Sequence, residues 1–221
     1  MTWQVVYQNG CERGFYDQDG TGELTVPNGT HVIWVQGDSP GVFPRPEMDF
    51  KDAEIQPEVF QGRFSASGSY RHAQGRYYLV SEKIFVDPSH LVRASCAYMH
   101  VFDGGGGGAR IGIVNGDGAW AAPGPITDDV GTADWGAWEG TYGDSPLPNR
   151  EWVALKSPAI EPREGYVRMV MQFNADHATP SSAGHWDVFT LEQDLPESGA
   201  AIDYDRIGQI FRDVLAEWDR R

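Results

Sequence analysis

From Trp3 to about Leu195 the chain is cut into short β-rich runs by Gly, Pro, Asn and Asp. Runs of that length between turn residues build a sandwich or a barrel, because each buries only alternate side chains and needs a facing sheet. The candidates are Trp3–Tyr7, His31–Gln36, Tyr77–Val86, Val92–Phe102, Arg110–Val114, Glu151–Lys156, Tyr166–Asn174 and His185–Glu192. Gly 27 and Pro 14 exceed the usual share, and Trp 8, Tyr 9 and Phe 10 are too many for a disordered chain. No repeat of 20 to 50 residues recurs, which argues against a solenoid or propeller.

Within Val92–Phe102, Ala97, Met99 and Val101 alternate with Cys96, Tyr98, His100 and Phe102. Period 2 sends the two sets to opposite faces, and the expectation is that the aromatic and polar set faces outward. The glycine run Gly104–Gly108 joins two strand candidates and is expected to be a hairpin loop. It lacks the following helix of a phosphate cradle. Residues 115–149 form a long Gly-, Asp-, Pro- and Trp-rich stretch, and loops that long in a compact domain are functional or disordered. After Leu195-Pro196-Glu197-Ser198-Gly199 the period changes: Ile207, Ile210, Phe211, Val214, Leu215 and Trp218 mark one amphipathic helix. The expected organisation is a β-sandwich over 1–195, a linker over 196–202 and a helix over 203–221. That helix either packs on its own sandwich or serves homo-oligomerisation or docking to a partner.

The formal net charge is −15, so the surface repels phosphate backbones and anionic headgroups, and nucleic acid and membranes are poor partners. No apolar run is long enough to span a bilayer, and the start Met1-Thr2-Trp3-Gln4 carries no leader pattern. An extracellular or virion-surface setting is compatible with that start. Cys11 and Cys96 are the only cysteines, too few for a disulfide framework or zinc motif, and are expected to be unbonded core side chains.

Several patterns mimic catalytic or metal motifs. Gly37-Asp38-Ser39-Pro40-Gly41 has the serine-hydrolase spacing, but Pro40, Pro44 and Pro46 forbid the helix that motif needs. Asp17–Glu23 resembles the middle of a calcium loop but has Phe15 and Val26 at the end positions, so it reads as an acidic turn. Asn28-Gly29-Thr30 also reads as a turn. The six histidines have no paired zinc-ligand spacing.

Asn9-Gly10-Cys11-Glu12-Arg13-Gly14-Phe15, Val26-Pro27-Asn28-Gly29 followed by Trp34, and His185-Trp186-Asp187-Val188 resemble galactose-binding-like β-sandwiches of the carbohydrate-binding-module type. Glu23–Gly29 and Arg45-Pro46-Glu47 also resemble uncharacterised bacterial and phage proteins. The resemblance implies an all-β jelly roll and a non-catalytic module recognising neutral saccharides through a concave face. It further implies a structural Ca2+ held by Glu12 and Asp187, although Val188 and Cys11 depart from the family's usual residues. Sugar binding needs aromatic faces and planar polar groups converging in a groove. The expected set is Tyr98, His100 and Phe102 on the strand, Arg45 and Glu47 beside them, and Asn174 and His177 closing over the face. Trp120, Trp135 and Trp138 are loop candidates for either binding or packing. Acidic glycans should bind worse than neutral ones unless Arg45 or Arg110 supplies a positive patch. The alternatives are a phage structural or receptor-binding protein and a jelly-roll glycoside hydrolase or lyase.

Overall fold

A computed structural model describes residues 2–35, 45–54, 58–70, 75–102, 107–126, 133–137, 139–140, 150–175 and 182–196. The strands are, first, β1 (Thr2–Asn9), β2 (Phe15–Asp17), β3 (Thr25–Pro27), β4 (Thr30–Val35), β5 (Glu47–Asp52) and β6 (Phe64–Tyr70). β7 (Gly75–Ser81), β8 (Ile84–Phe85), β9 (Val92–Phe102), β10 (Gly107–Val114) and β11 (Gly124–Ile126) follow. The last are β12 (Asp134–Trp135), β13 (Glu139–Gly140), β14 (Trp152–Lys156), β15 (Tyr166–Ala175) and β16 (Ser182–Leu195). A single 3-10 turn at Gly118–Trp120 is the only helical element among the described residues, so the described protein is all-β. The helix expected over 203–221 lies outside them.

A six-stranded sheet runs β14-β9-β16-β6-β5, with β1 also paired to β16. An eight-stranded sheet runs β11-β4-β7-β15-β10-β12, with β13 on β10 and β8 on β15. The main core fills the space between them, with Tyr77, Leu79, Ile111, Met171 and Phe173 from one sheet meeting Tyr98, Trp186, Phe189 and Leu191 from the other. Each large side chain removed from water there contributes about 1.5–3 kcal/mol. Two glycines make the aromatic packing fit. Gly68 and Gly184 are cross-strand partners. A Cβ on Gly68 would lie 2.3 Å from the Tyr77 hydroxyl, and one on Gly184 would lie 2.9 Å from the Phe173 ring. Bare backbone at both positions lets Tyr77 stack on Phe173, with centroids 5.1 Å apart.

The sequence marks most long strands, and β9 runs from Val92 to Phe102 as expected. The glycine run is divided differently: Gly107 and Gly108 belong to β10 and pair with Ala175 and Asn174. Cys11 and Cys96 are buried and unbonded, as expected. Burial pushes both thiols well up, so they stay protonated.

Candidate functional site

The structure does not assemble the expected groove. Tyr98 and His100 are 0% and 1% exposed and point into the inter-sheet core. His100 stacks on Phe173 at 5.9 Å, and Tyr98 lies against Trp186 at 4.6 Å. Burial lowers His100 to about 4, so the ring is neutral, and its Nδ1 is hydrogen-bonded to the Tyr98 hydroxyl at 2.6 Å. The outward assignment inverts because β9 is buried on both faces: Ala97 and Met99 are only 7% and 3% exposed. The 58–64 segment crosses this outer side, where Phe60 packs on Trp152. Period 2 separates two faces but does not say which is wet.

Arg45 is engaged elsewhere, paired with Asp19 and Glu23. Glu47 lies on β5 opposite Ser69, with two strands, β6 and β16, between it and β9. The Phe102 side chain, His177, Trp138 and Ser39 lie outside the described residues. Trp120 is 3% exposed and packs edge-on against Tyr78 at 5.3 Å, which makes it a packing residue.

Asn174 and Trp135 lead to a different surface, the outer face of the eight-stranded sheet. On β7, β15 and β10 the residues facing away from the core are Arg76, Tyr78 and Val80; Val170, Gln172 and Asn174; and Arg110 and Gly112. Cross-strand register sets Tyr78, Gln172 and Arg110 in one row and Arg76, Asn174 and Gly108 in the next. One end of this face is apolar: Ile33, Val35, Tyr78, Val80, Val114, Trp120 and Val170 form a second cluster, with Trp135 packed on it. Gly112 admits Trp135, since a Cβ there would lie 2.6 Å from the indole. The other end is polar. Arg110 donates from Nε to Gln172 Oε1 at 2.7 Å and lies over the Trp135 ring at 4.4 Å. Burial, with Arg76 nearby, lowers the Arg110 pKa, yet it stays charged at any ordinary pH. Arg76 is half-buried, and its Nε is buried with no hydrogen-bond acceptor. Sequence reasoning missed Arg76, Tyr78 and Gln172. The signal was polar and aromatic residues at period 2 in Arg76–Val80 and Val170–Asn174, on strands that also supply the core.

Glu12 and Asp187 converge on the 58–64 segment beside a cleft of about 310 Å³ bordered by Gln8, Gly10, Arg13, Gly62 and Val188. Glu12 Oε1 accepts from the backbone N–H of Arg63 at 2.7 Å and of Phe64 at 2.9 Å. Asp187 accepts from Phe60, Gln61 and Val188 N–H groups. Burial raises Asp187 to about 6, with the Glu12 charge adding to it. The pair fits a hard cation in type, since both ligands are carboxylates that repel each other. It falls short of the six to eight oxygens calcium takes, so backbone carbonyls or water would have to supply the rest. Among the described residues no group of three or more His, Cys, Asp or Glu side chains is placed to hold an ion.

The motifs behind the family resemblance also tie segments distant in sequence. Cys11 Sγ approaches the Trp186 carbonyl at 3.9 Å, Asn28 N–H donates to the Gly14 carbonyl at 2.9 Å, and Arg45 reaches Glu23. They are joints of the sandwich.

No family model and no curated protein matches the chain. Solved structures do. The K1 cleaved adhesin domain of Lys-gingipain from Porphyromonas gingivalis W83 aligns over 89% of this chain and 99% of that one, at 10% identity and a TM-score of 0.51. The CBM22-1 xylan-binding domain of Paenibacillus barcinonensis Xyn10C covers 86% of this chain and 94% of its own, at 12% identity and 0.48. TmCBM61, solved with β-1,4-galactotriose, covers 77% and 90% at 15% identity and 0.47. At such identities the likeness is one of fold alone: the chain is a β-sandwich similar to that adhesin domain.

Proposed function

We propose that this protein is a non-catalytic glycan-binding module that holds its ligand on the outer face of the eight-stranded sheet. The observation that carries the reading is the Arg110–Gln172–Trp135 arrangement, with Arg76 and Asn174 in the adjoining row. It combines the half-buried Trp135 indole with the planar polar groups of Arg110, Arg76 and Asn174 on a rigid sheet, the two elements a sugar needs, while the buried Gln172 fixes Arg110 from beneath. The family resemblance of the sequence points the same way. Calorimetry or affinity electrophoresis on neutral and acidic oligosaccharides tests it. Trp135→Ala should weaken binding about tenfold, on the order of one lost ring contact. Binding unaffected by Trp135→Ala, or no binding to any glycan, would overturn it. Product release from a bound glycan would replace the non-catalytic reading with the hydrolase or lyase one.

We also propose that Glu12 and Asp187 hold a structural Ca2+, resting on their convergence and on the raised Asp187. Saturating Ca2+ should then raise the melting temperature and excess chelator reverse it, because an ion bound only by the folded state stabilises it by mass action. Identical melting curves would remove the ion.

A further inference from the structure

We infer that the ligand of this face is an acidic saccharide, whose uronate carboxylate is bound by Arg76; the inference rests on the glycan-binding reading above. The charge pattern comes first. On a chain of net charge −15, this face sets Arg76 on β7 and Arg110 on β10, flanking β15, close enough that Arg76 depresses the ionisation of Arg110. Two strand spacings of about 4.8 Å and a two-residue offset along the strands put their backbones about 12 Å apart, a span suited to an oligosaccharide and too long for a single ring. The two arginines are held differently. Arg110 is fixed by Gln172 and by the face of Trp135. Arg76 has a buried Nε–H without an acceptor, in a fold where buried donors are otherwise mostly paired.

A guanidinium presents Nε–H and one Nη–H as a fork of parallel donors, and a carboxylate is the acceptor that fills both prongs. A neutral sugar hydroxyl fills one. Because Arg76 is only half-buried, rotation about its terminal side-chain bonds brings the fork to the surface, and Nε has no hydrogen bond to lose. Asn174, its cross-strand partner, lies where it can contact the sugar ring carrying the carboxylate. The expectation that acidic glycans bind worse than neutral ones is therefore reversed on this face by Arg76 and Arg110, while Arg45 is spent on Asp19 and Glu23.

The test uses the full chain and uronate oligosaccharides, each paired with its methyl ester, which keeps the backbone and removes the charge. The acid form should bind at least tenfold tighter than the ester. Arg76→Gln should erase that advantage, weakening the acid form far more than the ester, with Arg76→Lys intermediate because it keeps the charge without the fork. Arg93→Gln, which removes a pair with Glu192 on the other sheet, should change neither. An unchanged melting temperature in Arg76→Gln shows that folding is intact. An ester that binds as well as the acid, or an acid-form affinity indifferent to Arg76→Gln, overturns the inference and leaves glycan binding standing. Absence of binding to every oligosaccharide, charged or neutral, fells the glycan reading itself.

Discussion

Phe173 and Gln172 are neighbours on β15, and they belong to two clusters of opposite character. Phe173 points inward to His100 and Tyr77, in a cluster whose polar atoms are satisfied: Tyr98 bonds His100, and Trp186 Nε1 donates to Tyr77 Oη at 3.0 Å. Gln172 points outward to Arg110, in a cluster where an arginine nitrogen of Arg76 has no acceptor. Both contain aromatic rings beside polar groups, the composition that marks a sugar site in a sequence. The difference is closure. A cluster whose donors and acceptors are matched inside the fold is structure, and one with a donor left over has capacity for a ligand.

The comparison breaks first at Tyr98. If it is core, Tyr98→Ala should cost about 3–5 kcal/mol, since it removes a fully buried ring and leaves His100 unpartnered. A denaturant midpoint close to wild type would return Tyr98 to an open face. Gly68→Ala should cost less, about 1–3 kcal/mol, because its Cβ would overlap Tyr77 Oη at 2.3 Å and Met48 Sδ at 2.5 Å. Neutral stability for that variant would mean the aromatic packing is looser than described.

The pH response sharpens the same contrast. Burial holds His100 near 4 and His185 near 3, against an ordinary 6.5. The unfolded chain therefore takes up these protons first, and stability present above pH 6.5 is lost as pH falls toward the folded values. Asp187 works in the other sense. Raised from 3.8 to about 6, it favours the fold below 3.8 and loses that contribution as pH rises through 6. The histidines, with His31 shifted downward by burial in the same sense, outweigh the one carboxyl, so stability falls as the pH drops from 6 toward 4. His100→Gln should flatten that slope in urea titrations, and an unchanged slope would place His100 in water.

The fold was legible because turn residues and period-2 runs are local signals, and β9, β14, β15 and β16 announce themselves that way. The strands β2, β3 and β11 to β13 were not, since each is only two or three residues long, and β5 and β6 were not, since Glu47–Asp52 and Phe64–Tyr70 are largely polar or small. The site was harder for a related reason. Tyr98 and His100 look like a sugar platform in a list of residues, and only the facing sheet, through Phe173, reveals them as core. Trp135 and Arg110 stood out as residue types, but their meeting depends on Gly112 and on the β10–β12 register. The family-like motifs pointed to the β-sandwich and away from the proposed binding face, because they build contacts around Cys11 and Asn28.

The central claim is that the outer face binds and the interior does not, and tryptophan indole N–H signals report on both. In a 15N-labelled protein titrated with a bound oligosaccharide, the Trp135 indole should shift progressively while Trp186, tied to Tyr77 in the core, stays in place. Saturable binding that moves Trp186 and leaves Trp135 untouched would contradict the account.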